Sequence, residues 1–395
     1  MSGWILFALA IIGAALVANA RWPSRGPWML IPSWFGVFIT TDLVFHHIVL
    51  QVIVIVLCAW FGALETTQGN VAVVIMGFSS LALLRIWSPA LRARTVTEAV
   101  AADLDLDPAE PLPRSLLLTP FPGTRKGVEA IRNIEFHRAG GQSLKLDVYQ
   151  PDLARDNRPA LIYVHGGGFL FGDKKNQGLP LCNQMATLGW VCFNVNYRLS
   201  PDATWPEHLD DIRAAISWIR AHASDYGVDP NFVALTGNSA GGQIASMAAL
   251  TTDADTAVQA VVTSYAIYDL TNRHGAHNPE YLTKMIGPHV LKADPETEME
   301  KFRAASPRDH LDAVTIPWLV IHGSDDPLVP VIEARDFFTA LEAASTAMCG
   351  YVEFPGASHG FDVYYCHRAA AAVDLTARFL VSASNSANAA SRQSE

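Results

Sequence analysis

The chain has 395 residues, 50% of them apolar and 17% charged, with a formal net charge of −10. That length holds one large α/β domain plus a second unit, and the acidic balance argues against nucleic acid as a partner. Five cysteines, Cys58, Cys182, Cys192, Cys349 and Cys366, have no framework spacing, so neither a disulfide scaffold nor a metal site is expected.

Charge is spread unevenly. Residues 1–90 carry only Arg21, Arg25, Asp42, Glu65 and Arg85, a net +1, which leaves −11 for the remainder. Three apolar runs, 3–20, 44–64 and 70–88, reach roughly 27–32 Å each as helices, enough to cross a bilayer. Residues 1–94 therefore read as a multi-pass membrane region in contact with membrane lipids. Trp22, Trp28, Trp34, Trp60 and Trp87 flank these runs as interfacial aromatics do.

The segment 28–41 is apolar but short, and contains Pro32 and Ser33. It is expected to be interfacial or re-entrant, because three spans put Arg21, Arg25, Arg92 and Arg94 on one side. The positive-inside rule then places the N-terminus outside and the domain after the last span in the cytoplasm, at a plasma or inner membrane. Ala18-Asn19-Ala20 resembles a signal-peptidase site, but no Lys or Arg precedes the first run and two more spans follow. Asp42, His46 and His47 are expected at the membrane edge or paired between helices, with Arg85 snorkelling from a helix end.

Residues 95–129 read as a linker, short helix or cap segment. An α/β domain then spans 130–382. Strands are predicted at 131–136, 144–149, 160–164, 191–195, 232–236, 260–265, 317–321 and 351–354. Helices are predicted at 206–222, 239–250, 331–344 and 361–380. Strands alternating with helices imply a mostly parallel eight-stranded sheet covered on both faces. An insertion near 268–312 has Tyr281, Met285, Ile286, Val290, Leu291 and Phe302 as acyl-pocket or packing residues. Residues 383–395, rich in Ser, Ala and Asn, are expected to be a disordered tail.

The chemistry concentrates in Gly237-Asn238-Ser239-Ala240-Gly241, a serine between glycines where a strand turns into a helix. Such a turn lifts a nucleophile above the sheet, and the helix start offers N–H groups to an oxyanion. Ser239 needs a base and an orienting acid. Asp326, after the seventh strand, and His359, after the eighth, follow in the required order. Asp325 is the rival acid, and His165, His322 and His367 the rival bases. Gly166-Gly167-Gly168 follows the third strand directly, so the N–H groups of Gly167, Gly168 and Ala240 are the expected oxyanion hole. Phe169 and Trp205 are candidate substrate contacts.

Taken together, His165-Gly166-Gly167-Gly168-Phe169, Asn196-Tyr197-Arg198-Leu199-Ser200-Pro201, Gly237-Asn238-Ser239-Ala240-Gly241-Gly242, Asp326-Pro327-Leu328 and His359-Gly360-Phe361 resemble one family. It is the hormone-sensitive-lipase branch of the α/β-hydrolases, which includes bacterial carboxylesterases and arylacetamide deacetylases. The resemblance covers residues 130–382 and implies cofactor-free hydrolysis of carboxylic esters of short to medium acyl chain. The partner implied is a small-molecule or lipid ester; oligomeric state stays open. Acyl transfer to an alcohol and amidase or formamidase activity would use the same residues. Relatives that serve only as receptors typically lose a triad member, and none is missing here. The family's N-terminal helical cap is replaced in this chain by the membrane region.

Overall fold

The apolar N-terminal runs become helices α1 (Ser2–Arg21), α2 (Leu30–Asp42), α3 (Val44–Trp60) and α4 (Thr67–Trp87) in the computed structural model. It describes residues 1–24, 29–108, 110–153, 156–278 and 280–394, so Arg25 and Trp28 lie outside the described residues. The N-terminal half of α1 packs at Leu6 and Ala10 against Ala72 and Met76 of α4 and Cys58 of α3. Near the other end, Val17 meets Leu83 and Val44. Thus α1 and α4 run parallel and α3 runs back between the same two levels. Their outward side chains, among them Ile5, Ile12, Leu50, Leu57, Val74 and Leu81, are exposed. Exposed apolar surface this extensive marks a face for lipid or for another protein.

Two helices, Ser2–Arg21 and Thr67–Asp103, are long and apolar enough to cross a membrane, and the pair Ile31–Asp42 and Val44–Trp60 passes jointly but is bent by 88°. The bend at Leu43 turns α2 nearly perpendicular to α3. The segment expected as interfacial or re-entrant is therefore a helix lying across the end of the bundle, against the catalytic domain.

After α4 the chain continues through a 3₁₀ turn into α5 (Ala93–Asp103). The expected linker is thus partly helical, and Ala93, Ala101, Leu106 and Leu112 are buried in the same core as α11 below. Next come strands β1 (Val128–Ala139), β2 (Gln142–Pro151) and β3 (Arg158–Val164), helix α6 (Leu179–Thr187), β4 (Val191–Val195) and α7 (Glu207–Ala221). They are followed by β5 (Val228–Asn238), α8 (Ala240–Leu250) and β6 (Ala260–Ser264). Beyond the insertion, with α9 (Met299–Ala304), lie β7 (Trp318–Gly323), α10 (Val331–Ala344), β8 (Cys349–Phe354) and α11 (His367–Ser394).

The eight strands form one sheet in the order β1-β2-β4-β3-β5-β6-β7-β8, antiparallel at β1-β2-β4 and parallel from there on. One core lies on each face. Central strands are buried throughout, as β4 and β6 are, which matches their largely apolar sequence.

Two expectations need correction. Helix α11 starts at His367, not at residue 361, because residues 360–366 turn over α2, with Tyr364 stacked on Phe38 at 5.1 Å. The tail expected to be disordered instead continues α11 to Ser394. No proline or glycine interrupts it, and Ala383 and Ser384 are buried.

Candidate active site

Strand β5 runs into α8 through Ser239, whose φ of 53° and ψ of −127° lie outside the regions an L-residue prefers. Such strain persists only where surroundings impose it. The elbow is clamped from both sides: Ser239 N–H donates to the Ser264 carbonyl at 3.0 Å, and a Cβ at Gly241 would sit 2.3 Å from the carbonyl oxygens of Val164 and His165. Glycine is required there by contact distance.

The loops after β7 and β8 bring two further groups to the serine. His359 Nε2 lies 2.8 Å from Ser239 Oγ, and His359 Nδ1 lies 2.7 Å from Asp326 Oδ2. Asp326 Oδ1 accepts the N–H groups of Leu328 and Val329 at 2.8 and 2.9 Å. Burial would raise the Asp326 pKa, but the charge and hydrogen bond of His359 outweigh it and hold the carboxyl below its ordinary value. The acid is thus ionised and immobile.

The rivals go elsewhere. Asp325 is exposed and accepts the Ser324 hydroxyl at 2.7 Å. His322 stands behind Asp326 with Nε2 3.0 Å from the Val329 carbonyl oxygen, its pKa lowered by burial. His165 stacks on Tyr197 at 4.5 Å with Nδ1 2.9 Å from the Gly166 carbonyl oxygen, and burial lowers it to about 4. His367 packs against Trp87, ring centroids 5.3 Å apart.

A cavity of about 120 Å³ opens at Ser239 and His359, and Gly166, Gly167 and Gly168 form one wall. Gly167 has φ of 130°, and a Cβ on it would lie 1.8 Å from the Phe171 carbonyl oxygen. Only glycine permits this turn, in which Gly167 O accepts the N–H groups of Leu170 and Phe171. The turn decides which aromatic reaches the cavity. Phe171 lines it, whereas Phe169 points inward, fully buried, with its ring 5.4 Å from His208. Trp205 is also elsewhere: its N–H donates to the Val290 carbonyl at 2.8 Å and its ring packs on the main core. Neither candidate substrate contact is at the cavity.

From the insertion, Tyr281 and Met285 line the cavity, on a wide π-type helical turn over Tyr281–Leu291, while Ile286, Val290, Leu291 and Phe302 pack in the core. π-type turns recur at functional sites because the extra residue re-aims side chains.

Sequence reasoning missed two sets of neighbours. Tyr265 packs edge-on against His359 at 4.6 Å, accepts the Asn238 amide at 2.7 Å and donates to the Asp362 carboxylate, a group that burial raises above its ordinary pKa. The other set comes from α2. Ile31 and Trp34 line the cavity, and Trp34 Nε1–H donates to the His359 carbonyl at 2.9 Å, its ring 6.1 Å from the imidazole. Asp42, at the end of α2, pairs with Arg368 at 3.2 Å, both side chains buried, and Arg368 also donates to the Gly356 carbonyl at 2.9 Å. Asp42 therefore pairs with α11 and not with a neighbouring N-terminal helix. The signal for α2 was an apolar run ending in a lone Asp.

The chain is similar to known ester hydrolases. A family model described as BD-FAE matches residues 146–341. The probable carboxylic ester hydrolase LipM of Mycobacterium tuberculosis is 34% identical over 94% of this chain and 91% of its own length, a span that takes in most of the N-terminal helices. Esterase LipQ of the same organism is 37% identical over 67% of this chain and 65% of its own. Among solved structures, esterase 2 of Thermogutta terrifontis with propionate bound has a TM-score of 0.54 at 26% identity, covering 65% of this chain and 94% of that one.

Proposed function

The chain belongs to the α/β-hydrolase carboxylesterases of the hormone-sensitive-lipase type, and from that premise we propose that it is a membrane-anchored serine esterase whose triad is Ser239, His359 and Asp326. The observation that carries the triad is the unbroken contact series Asp326 Oδ2 to His359 Nδ1, then His359 Nε2 to Ser239 Oγ, at 2.7 and 2.8 Å. Ser239 attacks the ester carbonyl while His359 Nε2 takes its proton. The N–H groups of Gly167, Gly168 and Ala240 meet the developing oxyanion, fixed donors that need no reorganisation as charge appears. His359 returns the proton to the leaving alcohol, and an acyl-enzyme forms. Water, deprotonated by His359, then releases the acid and restores Ser239.

Residues 1–94 are read as the anchor and 130–382 as the catalytic domain. Helices α1, α3 and α4 cross the bilayer, and α2 lies at its surface. Support comes from charge: Arg21, Arg85, Arg92 and Arg94 lie at the catalytic-domain ends of α1 and α4, while among the described residues the far end carries no Lys or Arg side chain and has Glu65. The positive-inside rule makes the catalytic side cytoplasmic. Ile31 and Trp34 belong at once to α2 and to the cavity wall, which favours lipophilic esters of short to medium acyl chain arriving from the bilayer. Ser239→Ala tests the mechanism: hydrolysis of p-nitrophenyl esters and fluorophosphonate labelling should both vanish with the melting temperature unchanged. Full activity in that variant refutes it.

A further inference from the structure

A second cavity, about 370 Å³, lies in the seam between the N-terminal helices and the catalytic domain and shares no residue with the first. Arg21 at the end of α1, Thr41 at the end of α2 and Arg85 at the end of α4 form one side. Asp325 and Ser358 form the other, each directly preceding a residue of the proposed triad.

The cavity is polar where its chemistry is exposed. Among the described residues neither guanidinium has a carboxylate partner: Arg21 lies over the Trp22 ring at 5.5 Å, and Arg85 donates to Ser88 Oγ at 3.4 Å. Thr41 and Ser358 are only 3% and 2% exposed, and their hydroxyls have no hydrogen-bond partner among the described residues. Those oxygens are closed to the cavity, so the exposed guanidinium groups of Arg21 and Arg85 are what a ligand there would meet. Two arginines against one Asp325 leave the cavity a single positive charge. A phosphodiester supplies the balancing negative charge and several acceptor oxygens, and guanidinium is well shaped to bind it.

Position selects the source of the phosphate. Arg21 and Arg85 stand in the last turns of two helices read above as spanning, which is headgroup height, and Val37 and Ile86 give the cavity apolar walls. We propose that this cavity binds the headgroup of an anionic glycerophospholipid, and that its occupancy braces the loops carrying Asp326 and His359. The inference rests on the membrane-anchored reading.

The test uses the full-length protein in nanodiscs of phosphatidylcholine alone or with phosphatidylglycerol, assayed on a water-soluble short-chain ester so that substrate delivery plays no part. Native mass spectrometry should retain phosphatidylglycerol on the protein in preference to phosphatidylcholine, and phosphatidylglycerol should raise both kcat and the melting temperature. R21Q/R85Q should lower that retention about tenfold, the scale of losing paired charge-assisted hydrogen bonds; R21K/R85K should keep most of it. Asp325→Asn, which removes the opposing charge, should raise it. Equal retention of the two lipids by the wild type overturns the proposal, as does undiminished retention by R21Q/R85Q. Inorganic phosphate reproducing the whole effect in phosphatidylcholine discs assigns the cavity to a free anion and overturns the lipid. Fluorophosphonate labelling of Ser239 reports that each variant is folded. Carbonate washing separates the two readings: protein released by it defeats the anchor, whereas retained protein without lipid preference defeats this proposal alone.

Discussion

Replacing Trp34 by phenylalanine deletes one hydrogen bond to the catalytic loop and keeps an aromatic face in the cavity. The indole donates to the carbonyl of His359 itself at 2.9 Å, stacks on Phe38 at 5.9 Å and meets the imidazole edge-on at 6.1 Å. A net hydrogen bond is worth about 0.5–1.5 kcal/mol. If all of it holds the imidazole in register with Ser239, kcat falls roughly 2- to 12-fold. Trp34→Ala also removes the aromatic contact, about another 0.5–1.5 kcal/mol, for a total loss of roughly 5- to 150-fold. The assay is a chain-length series of p-nitrophenyl esters with kcat and KM separated. W34F should lower kcat at every chain length with little change in KM, because it loosens the base; W34A should in addition raise KM for the longer chains, because it removes a wall. A W34F enzyme with unchanged kcat would refute the view that α2 positions the base.

Asp326→Asn should cut kcat by about 10⁴-fold, as loss of the orienting acid does in such triads, while Asp325→Asn, assayed without anionic lipid, leaves kcat within about twofold, since Asp325 touches none of the reacting atoms; one activity assay on both variants decides between the two carboxylates. Arg368→Met leaves Asp42 buried and unpaired, so the melting temperature in detergent should fall by an amount equivalent to about 3–5 kcal/mol, and the double variant R368M/D42L should recover much of it. Burial lowers His165 and His208 from the ordinary 6.5 to about 4. Below pH 6.5 the unfolded chain therefore takes up protons that the native state refuses, and stability falls as the pH drops toward 4, by up to about 1.4 kcal/mol per pH unit per histidine. Melting curves between pH 7 and 5 should show this slope, and H208Q should flatten it.

Local pattern was enough for the eight strands, because the central ones are short, largely apolar runs and β1 and β2 alternate apolar with polar residues, and for placing Ser239, Asp326 and His359 in loops, because each follows a strand that sets its position. What depended on long-range packing was harder to see. Phe169 and Phe171 are alike in sequence, and only the backward turn at Gly167 decides which one reaches the cavity. Tyr265 and Trp34 carry no motif; their roles come from the meeting of segments 94 and 325 residues distant from His359 in the chain. The helical tail was misjudged because Ser, Ala and Asn suggest disorder when taken alone, whereas here they extend a helix that tertiary contacts have already nucleated.

The 88° bend between α2 and α3 is pinned by the buried pair of Asp42 and Arg368. With α1, α3 and α4 in the bilayer as proposed, the mouth at Ser239 would be held at one height and one tilt above the lipid, and substrate would be sampled from a plane and not from a volume. Turnover of a membrane-dissolved ester should then follow its mole fraction among the lipids. Adding inert lipid at constant total ester would slow the reaction by surface dilution, although nothing in the aqueous phase had changed.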